Sequence, residues 1–227
     1  MEKWRAIWNS SERINNTILE ILIKADGFDS GPGSFSLENW KIYVQQFYNK
    51  LSIQSNESIF EIGCGSGAFL FPLYLNGNKV GGVDYSSPLI DLANIIMKDC
   101  DFERNEASKT DFKLRYDYVI SNSVFHYFDN LDYAEEVIKK MLLKATKKVG
   151  IFDINDFSKK SEYHKTRTGR MNKQEYIQKY EGLDHLFYRK RWFEEIAEKY
   201  SVKIEIFDQT FKDYSNSKLR FNVIMTK

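Results

Sequence analysis

The sequence predicts an α/β chain built on a mostly parallel, doubly wound sheet. Three observations carry this reading. A short apolar run, Ser58 to Ile62, ends at a glycine-rich turn and is followed by a helical pattern. A second run, Lys79 to Val83, ends on Asp84. Further short apolar runs then alternate with helical patterns, as strand–helix–strand units do.

Composition narrows the class. At 227 residues the chain suits one sizeable domain. Hydrophobic content of 42% with 29% charged residues is that of a soluble globular protein. A net charge of +1 supplies no field for nucleic acid or an acidic membrane. The basic pairs and triplets, such as Lys147-Lys148 and Arg189-Lys190-Arg191, read as solvated surface. Cys64 and Cys100 form neither a disulfide framework nor a zinc spacing, and with three histidines no metal site is expected. The start, MEKWRAIWNS, is polar and amphipathic, so no signal peptide is expected, and no apolar run is long enough to span a bilayer as a helix. The expected location is therefore the cytoplasm. Oligomeric state is not legible.

The elements follow in order. Trp4, Ile7 and Trp8 fall at helical spacing, and as aromatics they read first as packing residues. Ser10 or Ser11 is expected to cap a second helix carrying Ile14, Ile18, Leu22 and Ala25. Asp26 to Ser34 is a loop by composition. Ser36 caps a third helix through about Tyr48, with Trp40, Val44 and Phe47 on its apolar side. After the first strand come Gly63, Gly65 and Gly67, then a helix expected from Ala68. Asp84, 21 residues after Gly63, can reach ribose hydroxyls at the carboxyl edge of the sheet. Pro88 opens the next helix, which runs to about Lys98. A third strand lies near Asp101 to Arg104, a fourth at Tyr116 to Ser121 and a fifth at Lys148 to Ile154, with a helix from Leu131 to Leu143 between the last two. Residues 157–189 form a long polar insertion. A helix from Trp192 to Tyr200 precedes strands at Val202 to Phe207 and Leu219 to Met225. A short polar turn-like segment between those strands makes them an antiparallel pair.

The turn is a nucleotide half-site, but its letters also satisfy G-x-G-x-x-A, a dinucleotide fingerprint. Two features oppose NAD. Glu61 stands inside the strand end, two residues before Gly63, and the chain closes on an antiparallel pair rather than a parallel sixth strand.

The run E-x-G-x-G-x-G from Glu61 to Gly67 resembles the first motif of the class I S-adenosylmethionine (SAM)-dependent methyltransferases. The resemblance extends in order over about residues 40–227, and Tyr116-Asp117 matches the family's aromatic–Asp start of strand four. It implies a Rossmann-like sheet of order 3-2-1-4-5-7-6. It implies an N-terminal helical cap or lid over residues 1–50 and a SAM-binding domain over 51–227 with the insertion on the acceptor side. The cofactor set it implies is Glu61, Gly63, Cys64, Gly65, Gly67, Asp84 and Tyr85, with Glu106 and Ala107 at the adenine and Ser121 at the end of strand four.

Methyl transfer from a sulfonium is an in-line displacement, so the protein mainly orients the acceptor and excludes water. A hydroxyl acceptor needs a base, and histidine as a type ionises near neutrality. His126, just after strand four, is that candidate, with Tyr127 positioning; the alternative is that His126 only shapes the pocket. Tyr163, His164, Arg167, Arg170, His185 and Tyr188 are the candidate acceptor wall, though each alone also reads as surface. The expected function is SAM-dependent methylation of a small polar acceptor, most often at oxygen. Resemblance alone adds a capsule, surface-sugar or phosphoramidate acceptor. The alternatives are N-methylation of a small amine and a non-catalytic SAM-binding protein.

Overall fold

The computed structural model describes residues 2–29, 34–168 and 185–227. Its centre is a seven-stranded sheet of order β3-β2-β1-β4-β5-β7-β6, the order that the resemblance implied. The strands are β1 (Ser58–Ile62), β2 (Lys79–Asp84), β3 (Asp101–Arg104), β4 (Tyr116–Asn122), β5 (Ala145–Asn155), β6 (Lys203–Asp208) and β7 (Arg220–Thr226). The first five run parallel, and β7 pairs antiparallel with both β5 and β6.

Successive side chains of each strand serve opposite faces. Ile59, Val80, Tyr118, Ile120 and Phe152 pack on one side, against α1 (Glu2–Ala25), α2 (Leu37–Leu51), α3 (Phe71–Leu75) and α4 (Ser87–Ile96). Phe60, Ile62, Val119, Ile151 and Val223 pack on the other, against α5 (Leu131–Lys144) and α7 (Lys190–Lys199). Both faces are covered, which is why the inner strands read as near-continuous apolar runs. A further helix, α6 (Lys160–Thr168), lies within the insertion.

The N-terminal helices join the sheet's own core. Ser36 caps α2 by accepting the amide of Asn39 at 3.2 Å. Phe47 of α2 stacks on Phe152 of β5 with ring centroids 4.0 Å apart. The indole of Trp40 donates to the carbonyl of Ala68 at 2.9 Å, tying α2 to the segment after the glycine turn.

Three local expectations are corrected. Residues 2–25 form one continuous helix, not two, since Ser10 and Ser11 lie within it; Ile14 is exposed while Leu22 is buried. The side chains of Trp4 and Trp8 lie outside the described residues. The helix expected from Ala68 begins at Phe71, where Pro72 sits in its first turn. The β6–β7 connection is not a short polar turn: it runs over residues 209–219 and buries Gln209, Phe211, Tyr214 and Asn216.

Candidate active site

A cavity of about 820 Å³ opens where the carboxyl ends of β1, β2 and β4 meet the start of β7. This is the switch point at which doubly wound sheets bind ligands, and the size lies within the roughly 300–1,000 Å³ of ligand pockets.

The glycine turn forms one wall, and its amides are already engaged. Gly63 and Cys64 donate to the carbonyl of Val83 at 2.8 and 3.1 Å. Gly65 donates to Asp84 Oδ2 at 2.9 Å. Ser66 donates to Asp26 Oδ1 at 2.7 Å, and Ala68 to Asp26 Oδ2 at 3.4 Å. Gly67 donates to the carbonyl of Cys64 at 2.8 Å. Every amide from Gly63 to Ala68 therefore has an acceptor within the chain. Gly65 is required at this place for two reasons. Its φ of +54° is left-handed, and a Cβ there would stand 2.5 Å from Asp26 Oδ1.

Three carboxylates converge on this turn. Asp84 also accepts the amide of Ser86 with its other oxygen, at 2.8 Å. Burial raises the Asp26 carboxyl to about 6; the Ser66 and Ala68 amides oppose the shift, and Asp84 adds to it. Glu61 is 2% exposed, and burial first, then Asp26 and Asp84, push its carboxyl well above the usual range. Its Oε2 is buried and meets no hydrogen-bond partner among the described residues, an orphaned polar atom beside the cavity that Glu61 lines. Burial likewise keeps the Cys64 thiol protonated.

Of the sequence-predicted cofactor residues, Glu61, Gly63, Cys64, Gly65, Asp84, Tyr85, Glu106 and Ala107 line the cavity. Gly67 and Ser121 do not. Gly67 faces Met97 behind the turn. The Ser121 hydroxyl is buried and donates to the carbonyl of Ile62 at 2.9 Å, bracing β4 against β1. Asp26, Gly27 and Phe28 line the cavity as well, so the end of α1 belongs to the site.

The opposite pole is built by the ends of β4, β5 and β7. His126 is buried on a 3-10 turn, Phe125–Tyr127, while Tyr127 is exposed at the rim. Both line the cavity with Asn122, Ser123, Tyr214, Asn216 and Arg220. Asn122 accepts the Tyr43 hydroxyl at 2.8 Å. A register shift between Ile151 and Ile154 places Asp153 at φ +60° and turns its carboxylate towards this pole. Asp153 Oδ2 accepts the hydroxyls of Ser123 at 2.7 Å and Tyr214 at 2.9 Å. Arg220 donates to Asn155 Oδ1, and its Nη1 lies 3.4 Å from His126 Nδ1. An arginine only donates, so in this contact Nδ1 is the acceptor and the ring's hydrogen sits on Nε2. The guanidinium's Nε is 3.6 Å from Asp153 Oδ1. Burial alone would lower the Arg220 pKa, but Asp153 and the surrounding tyrosines raise it overall, so it is a cation.

The acceptor-wall candidates divide. Tyr163 bonds His185 Nδ1 through its hydroxyl at 2.6 Å, and the His185 ring lies 4.9 Å from that of His126. The two therefore stand behind His126 rather than on the cavity wall. His164 packs edge-on to Tyr163. Tyr188 is fully buried and donates to the carbonyl of Phe125 at 2.7 Å, fixing the turn that carries His126. Arg170 and the side chain of Arg167 lie outside the described residues. Sequence reading missed Asp26, Tyr214, Asn216 and Arg220. The available signal was in β7, where Arg220 and Asn222 alternate with Phe221 and Val223. That alternation reads as a half-solvated strand, yet the structure buries both faces. Among the described residues no cluster of histidine, cysteine and carboxylate side chains could hold a metal, and no helix is long and apolar enough to cross a membrane.

Residues 53–212 match the model of a methyltransferase-domain family. An uncharacterised protein of Haemophilus influenzae is 33% identical over 113 residues, which are 47% of this chain and 41% of that protein. Among solved structures, a magnesium protoporphyrin IX methyltransferase from Synechocystis with bound S-adenosylhomocysteine (SAH) superposes with a TM-score of 0.61 at 15% identity, covering 93% of this chain and 98% of the other. A SAM-dependent methyltransferase from Clostridium acetobutylicum gives 0.60 at 12% identity over 97% and 98% of the two chains. The N-methyltransferase NodS from Bradyrhizobium japonicum gives 0.60 at 13% identity over 84% and 97%. At these identities the structural likenesses show the fold.

Proposed function

The chain belongs to the methyltransferase-domain family, whose methyl donor is SAM, and from that premise we propose that it methylates a small polar acceptor, at oxygen. The observation that carries the choice of SAM is the engaged glycine turn. A dinucleotide places its pyrophosphate on the free amides of such a turn. Here those amides are held by Asp26, Asp84 and backbone carbonyls. A cation bound beside the Asp26, Glu61 and Asp84 carboxyls draws them to the ionised form, whereas a pyrophosphate would stand against them.

The residues present fit SAM. Glu61, whose buried Oε2 lacks a partner, and Asp26 would stand at the cationic end. Asp84 retains acceptor capacity for ribose hydroxyls, since a carboxylate has about four lone-pair sites. Asn105, Glu106, Ala107 and Leu89 line the end that would take the base. Bound there, SAM supplies an electrophilic methyl group on its sulfonium.

The chain's own contribution is to orient and enclose. Tyr127 and Phe28 flank the cavity, and Asn122, Ser123 and Asn216 offer polar contacts to an acceptor. Oxygen is favoured over an amine because an anionic oxygen gains directly from the buried Arg220 guanidinium, whereas an amine that arrives as an ammonium is repelled by it. His126 is a base candidate if the acceptor is a neutral hydroxyl, and it positions the acceptor if the oxygen is already anionic. Capsule or surface-sugar modification draws no support from the related proteins. The test is methyl release from labelled SAM over a panel of hydroxyl, carboxylate, phosphate and amine acceptors. Turnover confined to amines would overturn the oxygen assignment, and SAM binding without any turnover would favour a non-catalytic role.

A further inference from the structure

The acceptor pole holds a buried cation on the cavity wall. Arg220 is 4% exposed and lines the cavity. Its Nη1 is fixed by Asn155, and its Nε faces Asp153 Oδ1 at 3.6 Å in an ion pair. A guanidinium carries five N–H groups, so one neutral oxygen and one loose ion pair leave it donor capacity for a ligand in the cavity that it lines. Five carboxylates line the same cavity, Asp26, Glu61, Asp84, Glu106 and Asp129. Among the described lining residues Arg220 is the arginine or lysine that offsets them.

We propose that Arg220 is the recognition residue for a carboxylate carried by the acceptor. This rests on the methyltransferase reading above and names the substrate class of that site. The guanidinium fork matches a planar carboxylate. The Asp153 carboxyl already pairs with the same guanidinium at 3.6 Å, so the pole tolerates one further negative charge more readily than two. That balance favours a monoanionic carboxylate over a dianionic phosphate ester. Tyr214 and Ser123 both donate their hydroxyls to Asp153 Oδ2, which leaves the guanidinium as the cationic donor facing the acceptor.

The test uses the full chain saturated with SAH. Matched probes are titrated by calorimetry: acetate against acetamide, benzoate against benzamide, 3-phenylpropionate against its amide, and phenyl phosphate. The expected result is at least tenfold tighter binding of one or more acids than of the matched amide, and weaker binding of phenyl phosphate than of benzoate. Removing Arg220 alone strands Asp153, so the informative variant is Arg220→Gln with Asp153→Asn, beside Arg220→Lys. The double variant should keep wild-type SAH affinity and lose the acid preference; Arg220→Lys should retain part of it. The proposal is overturned if no acid outbinds its amide, if the preference survives in the double variant, or if phenyl phosphate binds more tightly. Failure of the wild type to bind SAH would instead overturn the methyltransferase reading, and this proposal with it.

Discussion

The Asp26 carboxylate, at the end of α1, accepts the backbone amide of Ser66 at 2.7 Å. The same side chain reaches the amide of Ala68 at 3.4 Å, and the Ser66 hydroxyl returns a bond to the carbonyl of Leu22 at 3.2 Å. The glycine turn is thus clamped to the N-terminal helix. Gly65 serves that clamp directly, because any Cβ there would collide with Asp26.

Gly65→Ala should weaken SAM binding by roughly 1–3 kcal/mol, the usual cost of holding a non-glycine residue in strained backbone. Part of that loss is the collision. In an Asp26→Ala background the same substitution should therefore cost less. Calorimetry on the four proteins of the cycle measures the coupling. Strictly additive losses would show that Asp26 does not constrain the turn.

The carboxylate cluster sets a pH dependence. The Asp26 carboxyl is raised from 3.8 to about 6, and Glu61 moves in the same direction. A raised carboxyl favours the folded state below its unfolded value, and this contribution is lost as pH rises through about 6. A cationic ligand prefers the ionised cluster. SAM affinity should therefore rise over the window from 3.8 to about 6, and rise more than that of SAH, which lacks the sulfonium charge. Asp26→Asn should flatten the difference. Parallel pH profiles for SAM and SAH would count against a cluster that reads the cation.

His126 can be assigned by kinetics once an acceptor is known. Its Nδ1 faces Arg220, which suits a ring that donates through Nε2. His126→Gln should then raise the acceptor's apparent KM and lower kcat less than tenfold. A loss of kcat of about 10²–10⁴-fold, with SAM affinity unchanged, would assign it as the base instead.

The end of α1 should also respond to ligands. Asp26, Gly27 and Phe28 line the cavity, so we propose that the N-terminal region closes over it. Amide hydrogen exchange across residues 14–29 should slow when SAH and an acceptor are both present. Unchanged exchange there would make the region a structural part of the core only.

Most of the sheet was legible because apolar runs and turn residues mark parallel strands locally. Ser36, Pro88 and the E-x-G-x-G-x-G run were read at their true places for the same reason. The acceptor pole was not legible. Asp153 is aimed by a bulge in β5 whose register depends on β7, residues 69 positions away in the chain at Asn222. Tyr214 and Asn216 sit in a segment whose polar letters suggest a solvated turn, yet Phe211 and Tyr214 pack on Phe35 of the N-terminal region. Asp26 looked like a loop residue because its partners, Ser66 and Ala68, lie about 40 residues on.

The most direct measurement is a pair of calorimetric titrations of the full chain, with SAM and with NAD. Because the amides from Gly63 to Ala68 are engaged and three carboxylates stand at the turn, SAM should bind and NAD should not. Asp84→Ala should weaken SAM by about 1.5–3 kcal/mol for each lost bond to the charged acceptor. Tight binding of NAD without binding of SAM would contradict the assignment of this cavity.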